Sequence, residues 1–363
     1  MKPTTITRRY LVTRAAAAAI GLPTLSACSK DDPAASGVRI VPTPGTGIVP
    51  AMQADSAGLL HVVYLQGADL FHCTSSNGGA SFGEPMRIND QAGFADGGLF
   101  RGPKLVLGEG GALHVVWYSR AWSSSPDKTR QGAMYSRAAS GQPFAPARNV
   151  GGEPSDGFSI AVNGQQVAVA WHNGEVLKVA RSTDAGSEFA APQSLAGALP
   201  CECCDTWLQV ERDGRARVVY RDRQQDRRDM FLATMRSDGN GERQRLDRES
   251  WILKACPISG CSAVFDGAIG VVAWERDGRI LATRIEGDAG GRTELLDVGG
   301  GKYPMVLRHG EHVLVAWCDG GALSWQRFDW PTLRAGAKGS VRRRSMHRAA
   351  GAVAQDGQFV LMV

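Results

Sequence analysis

Val167-Ala168-Val169-Ala170-Trp171 is a short apolar run that closes on an aromatic, and six comparable runs stand at 61–64, 114–117, 217–220, 270–274, 313–317 and 359–363. Their spacing is roughly fifty residues, and self-similarity at such a period marks a repeat architecture. Each run follows an apolar stretch and a polar, Gly-containing turn, as in Pro50-Ala51-Met52-Gln53-Ala54-Asp55-Ser56-Ala57-Gly58. A second turn and more strand-like sequence come after it. One period therefore reads as four short antiparallel strands, A to D from the inside outwards, with the apolar run as strand B. A lone four-stranded sheet would leave apolar faces in water, so the units must stack, and a ring of them is an all-β propeller of four-stranded blades.

The last copy stops after its strand B, and the first is preceded by Val38-Arg39-Ile40-Val41, a strand without a partner of its own. N- and C-terminal strands are therefore expected to meet in one blade, which hides the edges that would otherwise pair with other chains. The count is seven blades, or six if 359–363 only caps the ring. The propeller spans 38–363.

The first 37 residues read differently. Thr7-Arg8-Arg9-Tyr10-Leu11-Val12, the Ala-rich apolar run after it and Leu25-Ser26-Ala27-Cys28 resemble a twin-arginine export signal joined to a lipobox. The apolar run, about fifteen residues, is too short to span a bilayer permanently. The resemblance implies removal of 1–27 and a lipid on Cys28, which anchors the protein to a membrane of the bacterial envelope. Ser29 after that cysteine points to the outer membrane in a Gram-negative cell. Residues 28–37, small, polar and prolyl, read as a tether.

The full chain carries a formal charge of +5, and cleavage removes Lys2, Arg8, Arg9 and Arg14, leaving 5 − 4 = +1. A nucleic-acid partner is not implied by such a balance. A local basic cluster, Arg342-Arg343-Arg344 with Arg348, could attract an acidic ligand.

Two turns between strands C and D carry a family signature. Ser75-Ser76-Asn77-Gly78-Gly79-Ala80-Ser81-Phe82 and Ser182-Thr183-Asp184-Ala185-Gly186-Ser187-Glu188-Phe189 fit Ser-x-Asp-x-Gly-x-Thr-aromatic, with Asn for Asp in the first and Glu for Thr in the second. Asn77 and Asp184 would accept backbone N–H bonds, Gly79 and Gly186 would take the left-handed conformation, and Phe82 and Phe189 would pack between blades. The chain thus resembles the sialidase-like, Asp-box propeller superfamily. A sialidase of that family needs an arginine triad, a tyrosine nucleophile polarised by glutamate and an aspartate acid/base. The segment matching its first arginine is Gly47-Ile48-Val49-Pro50, with no arginine, so no catalytic residue is assigned and the fold alone implies no activity.

Strand alternation places the D-to-A and B-to-C connections on one face of the ring, opposite the Asp-box turns, and such loops carry function. Cys201-Glu202-Cys203-Cys204-Asp205-Thr206-Trp207 enters blade 4, and Cys256-Pro257-Ile258-Ser259-Gly260-Cys261 enters blade 5 at the equivalent point. The B-to-C loop of blade 4 is 221–229, where Arg221, Asp222, Arg228 and Asp229 at the loop ends suggest an ion-pair frame round the channel mouth. Together with Asp205 and Trp207 these form the expected ligand-binding set. The order Cys-x-Cys-Cys, Tyr-Arg-Asp, Arg-Asp, then Trp251 to Cys256-Pro257 resembles a bacterial Asp-box lipoprotein subfamily.

Of eight cysteines, seven remain after lipidation of Cys28, an odd number that leaves at least one thiol unpaired within the monomer. Cys73 reads as a buried apolar residue, and Cys318 opens a loop on the functional face. In an oxidising envelope Cys201, Cys203, Cys204, Cys256 and Cys261 are expected to form disulfides stapling blade 4 to blade 5. The alternative is a thiolate site for copper or zinc, with Asp205 or His347 as a further ligand. Trp122 beside Lys128 and Arg130 offers a weaker sugar-stacking candidate. The resulting expectation is an envelope lipoprotein that recognises a glycan or another acidic surface group, needs no cofactor and lacks sialidase chemistry. A metal-binding lipoprotein and a glycoside hydrolase with a non-standard site are the alternatives.

Overall fold

The computed structural model describes residues 37–98, 101–119, 130–287, 291–292, 295–343 and 348–363. Cys28, expected to carry a lipid, the expected signal and nearly all of the tether, and Trp122, Lys128, Arg344 and His347 lie outside them. Seven sheets follow one another: blade 1 (48–87), blade 2 (95–149), blade 3 (156–194), blade 4 (207–245), blade 5 (261–300), blade 6 (302–342), and a closing blade 7 made of Ala350–Val353, Phe359–Met362 and Val38–Val41. The strand-B runs lie in Leu60–Gln66, Leu113–Ser119, Gln166–His172, Ala216–Arg221, Ile269–Arg276, His312–Asp319 and Phe359–Met362. Each sits between two neighbouring strands and is buried on both faces, which is why it reads as a continuous apolar run instead of an alternating one.

Blade 7 consists, among the described residues, of the two strands of the last copy and the N-terminal one, and Val38–Val41 lies parallel to Phe359–Met362, with Val38 opposite Phe359 and Val41 opposite Met362. The termini meet as expected, and the ring is sealed by seven apolar clusters, one at each junction. Blades 7 and 1 share Val41, Met52, Val62 and Val360, and blades 6 and 7 share Leu314, Trp325, Phe359 and Leu361. A six-bladed ring with a mere cap would lack that pair of junctions.

Strand B tends to end on tryptophan, and three of the indoles share a task. Trp171, Trp274 and Trp317 donate Nε1–H to Glu153 Oε1 (3.0 Å), Asp247 Oδ1 (3.1 Å) and Gly300 O (2.8 Å). Glu153 and Asp247 belong to the chain entering strand A of the same blade and Gly300 ends the outer strand just before it, so the aromatic packs between blades while its polar edge fixes a connection.

The two C-to-D turns have matching hydrogen bonds. Ser75 and Ser182 hydroxyls accept from Gly79 N and Gly186 N, both at 2.8 Å, while Asn77 and Asp184 accept from Ser81 N and Glu188 N, both at 2.9 Å. Phe189 meets Tyr135 of blade 2 edge-on at 5.1 Å.

Candidate functional site

Three entries into strand A carry a bulge on the face opposite those turns. The pairing slips between Ile48 and Ala51, Asp156 and Ser159, and Lys302 and Met305, and the extra residues Val49, Gly157 and Tyr303 have φ of 44°, 57° and 57°. A bulge re-aims the side chain it carries. Left-handed backbone at a valine and a tyrosine is strained and persists only where the surroundings over-determine it. Tyr303 lines a cleft with Arg101, Cys203, Asp205, Ile258, Cys261 and Arg348.

Cations from two blades, 2 and 7, converge there. Asp205, at the entry to blade 4, accepts from Lys104 of blade 2 at 2.5 Å and from Arg348 at the entry to blade 7. Arg101 pairs with Asp156 at 2.5 Å and stands over the Tyr118 ring at 5.2 Å. Burial would raise Asp205, but Lys104 and Arg348 outweigh it and hold the carboxyl below its ordinary value. Burial, helped by Arg348, brings Lys104 down to about 8. Burial, with Asp156, pushes Tyr118 up to about 12, and burial raises Tyr303 as well. Three cations face two carboxylates, and the Arg101 side chain is the most open of the five, 43% exposed.

The cysteine segments lie beside this cleft. Cys203 and Cys256 form a disulfide with Cα atoms 6.8 Å apart, and Cys201, Cys203, Cys204 and Cys256 bring four sulfurs within 4.8 Å of one another. Cys201 Sγ is 3.9 Å from Cys256 Sγ. The Cys204 thiol donates to Cys201, which brings Cys201 down to about 7 against its burial, with Arg221 and Arg228 acting in the same sense; the same bond raises Cys204. Cys261 stands outside this group. It opens strand A of blade 5 inside the core between blades 4 and 5, its thiol 3.3 Å from Val219 O, and burial lifts it to about 12. Cys73 is likewise in the core between blades 7 and 1, and Cys318 accepts from Arg343 at 2.8 Å.

The four loop-end charges of blade 4 are buried and turned to other work. Arg221 donates to the carbonyls of Arg228 (3.0 Å), Glu275 (2.5 Å) and Ser259 (3.4 Å) and stacks over Trp251 at 5.1 Å. Arg228 caps Gln225 O at 2.5 Å. Asp222 accepts from Leu199 N and from Arg243, and Asp229 from Trp251 N and from Arg245. Arg243 and Arg245 belong to the outer strand, so these carboxylates face away from the axis and tie down the segments carrying the cysteines. Trp207 packs against Phe265 at 5.4 Å in the junction of blades 4 and 5. Of the expected ligand set only Asp205 lines the cleft; Arg101, Tyr303 and Arg348 line it too, and Lys104 and Asp156 stand behind them as ion-pair partners of Asp205 and Arg101. Arg348 alone had a signal, its place in the basic cluster. Among the described residues another cleft, lined by Gln166, Arg181, Asp184 and Phe189, lies on the opposite face, where Arg181 is engaged by Gly214 O and Gln193 Oε1.

No protein-family model matches the chain, and no curated protein matches it in sequence. Solved structures do. A chain of the hydrazine synthase of Kuenenia stuttgartiensis is 13% identical at a TM-score of 0.58, covering 87% of this chain and 92% of its own. A Dyadobacter fermentans protein of unknown function is 12% identical at 0.51, with 85% and 98% covered. The NanB sialidase of Streptococcus pneumoniae is 10% identical at 0.47, with 82% and 68% covered. The first two likenesses show a shared propeller fold and nothing of chemistry; the third adds nothing to that.

Proposed function

We propose that the protein is a binding protein of the bacterial envelope whose channel mouth takes a carboxylate-bearing ligand, such as an acidic sugar. The observation that carries this reading is the convergence of Arg101 and Lys104 of blade 2 and Arg348 of blade 7 on two carboxylates. One positive charge is left over, and a partly exposed guanidinium can offer it to an incoming anion. Arg101 is the residue to meet a carboxylate, because a planar guanidinium pairs with it bidentately. Tyr303, held out by its bulge, would offer a ring to a sugar face. Asp205 keeps Lys104 and Arg348 in place. The lipid on Cys28 would anchor the protein to the membrane, on the strength of the lipobox resemblance alone. Tyr118 and Tyr303 are both pushed towards the protonated state, which gives no support to a tyrosinate nucleophile.

A glycan array carrying sialylated, uronic-acid and neutral glycans tests the reading. Binding should be confined to the acidic glycans, weaken with salt, and disappear in a folded Arg101→Ala variant. Signals at background throughout, or equal signals for neutral glycans, would refute it. Turnover of a fluorogenic sialoside would replace it with the hydrolase reading.

A further inference from the structure

We infer that Cys201, Cys203, Cys204 and Cys256 form a redox-gated zinc site, in which four thiolates hold one Zn2+ when the Cys203–Cys256 disulfide is open. A tetrahedral zinc–thiolate site with bonds of about 2.3 Å needs sulfurs about 3.8 Å apart. Cys201 and Cys256 already stand at 3.9 Å, and all four sulfurs lie within 4.8 Å, so side-chain adjustments without a backbone shift complete the tetrahedron.

The frame around the sulfurs is built to stay put. Cys201 N donates to Arg221 O at 2.9 Å, Cys204 N closes a turn on Cys201 O at 3.2 Å, and Lys302 Nζ holds Pro257 O at 3.0 Å beside Cys256. Four thiolates on a divalent ion leave two negative charges. Arg221 and Arg228 are the buried cations within electrostatic reach of Cys201. Arg228 makes no ion pair among the described residues, and the Nε atoms of both arginines have no acceptor. Glu275, 3.9 Å from Arg221, offsets part of that positive charge. A buried cation facing sulfurs and lacking a carboxylate of its own is what a net-negative metal centre would neutralise.

Disulfide and metal are alternatives. With Cys203–Cys256 closed, two thiols remain, too few for a closed four-coordinate site. A dithiol reductant opens the bond by supplying two electrons and two protons, becoming a disulfide itself. Zinc then displaces the thiol protons of the four cysteines to solvent. The segment can thus report the thiol–disulfide state of its compartment by gaining or losing an ion. This inference does not rest on the acidic-ligand reading, although Cys203 lines the same cleft.

The test uses the mature chain, reduced with a phosphine, freed of reductant without oxygen and titrated with Co2+ as a visible stand-in. One equivalent should produce the d–d bands of tetrahedral Co2+ with thiolate charge-transfer absorption, and one equivalent of Zn2+ should bleach them. Native mass should show one zinc on the reduced protein and none on the oxidised. Cys204→Ser should lose at least about tenfold in affinity, while Cys261→Ser, outside the group, should bind like the parent. Near-UV circular dichroism checks that each variant is folded. A reduced parent without bands overturns the inference. So do bands that persist unchanged in folded Cys201→Ser and Cys204→Ser, or equal zinc uptake by the oxidised protein.

Discussion

Replacing Arg221 by methionine should destabilise the propeller while leaving acidic-ligand binding intact in the folded fraction. The side chain has no exposed surface, and its guanidinium donates to carbonyls of three segments: the 221–229 loop, the entry to blade 5 at Ser259, and the end of strand B of blade 5 at Glu275. Methionine keeps much of the contact with Trp251 and removes every donor. A buried carbonyl left without a partner costs about 1–3 kcal/mol, and stripping one member from a buried charged arrangement costs about 3–5 kcal/mol. The terms overlap, because both count the donors that the one guanidinium supplies, so a net loss of about 4 kcal/mol is expected. With an unfolding entropy of about 2 cal/mol/K per residue, a ring of this size should lose about 6 °C in Tm. Arg221→Lys should lose nearly as much, since one ammonium cannot reach three carbonyls in a plane. Urea unfolding followed by tryptophan fluorescence gives the free energy, and a thermal scan gives the midpoint. A loss under about 1 kcal/mol together with abolished ligand binding would refute the reasoning and move Arg221 into the binding site.

Acid should weaken the molecule through blades 1 and 2. Burial lowers His72 and His114 to about 4, so between pH 6.5 and 4 the unfolded chain binds protons that the folded one does not. Their stabilisation is present above about pH 6.5 and is lost as pH falls, by about 2 kcal/mol each between pH 7 and pH 5. Urea unfolding at the two pH values should show this slope, and a His72→Gln, His114→Gln double variant should flatten it; an unchanged slope would sink the assignment. Asp205→Asn should leave Lys104 buried without its counter-charge, costing about 3–5 kcal/mol, and should tighten acidic-ligand binding in whatever remains folded. Weaker binding by a folded Asp205→Asn variant would show that the carboxylate contributes to recognition instead of restraining the cations.

How far the sequence could be read follows from where each signal is written. Strand B of each blade is legible because burial on both faces forces an apolar run, and the period of those runs gives the ring; the parallel seating of Val38–Val41 leaves no such trace, since an apolar strand looks the same in either direction. The cleft has no local signature. Lys104, Asp205 and Arg348 are 101 and 143 residues apart along the chain and meet only because closure brings blades 2, 4 and 7 to one axis. The partners of the loop-end charges of blade 4 are hidden for a related reason: a mixed-charge loop reads the same whether it faces the channel or folds back on outer-strand arginines such as Arg243 and Arg245. The cysteines divide by the same physics. Cys256 and Cys261 share one entry segment, yet Cys261 is the first residue of a strand, paired with Trp274, and strand alternation turns it into the core between blades. Cys256 lies five residues earlier, where the chain is still a loop and can reach across to the neighbouring blade. A thiol is therefore assigned to chemistry or to packing by where strand A begins, and in a repeat protein that boundary is set by the partner strand, Ile269–Arg276, which comes later in the chain.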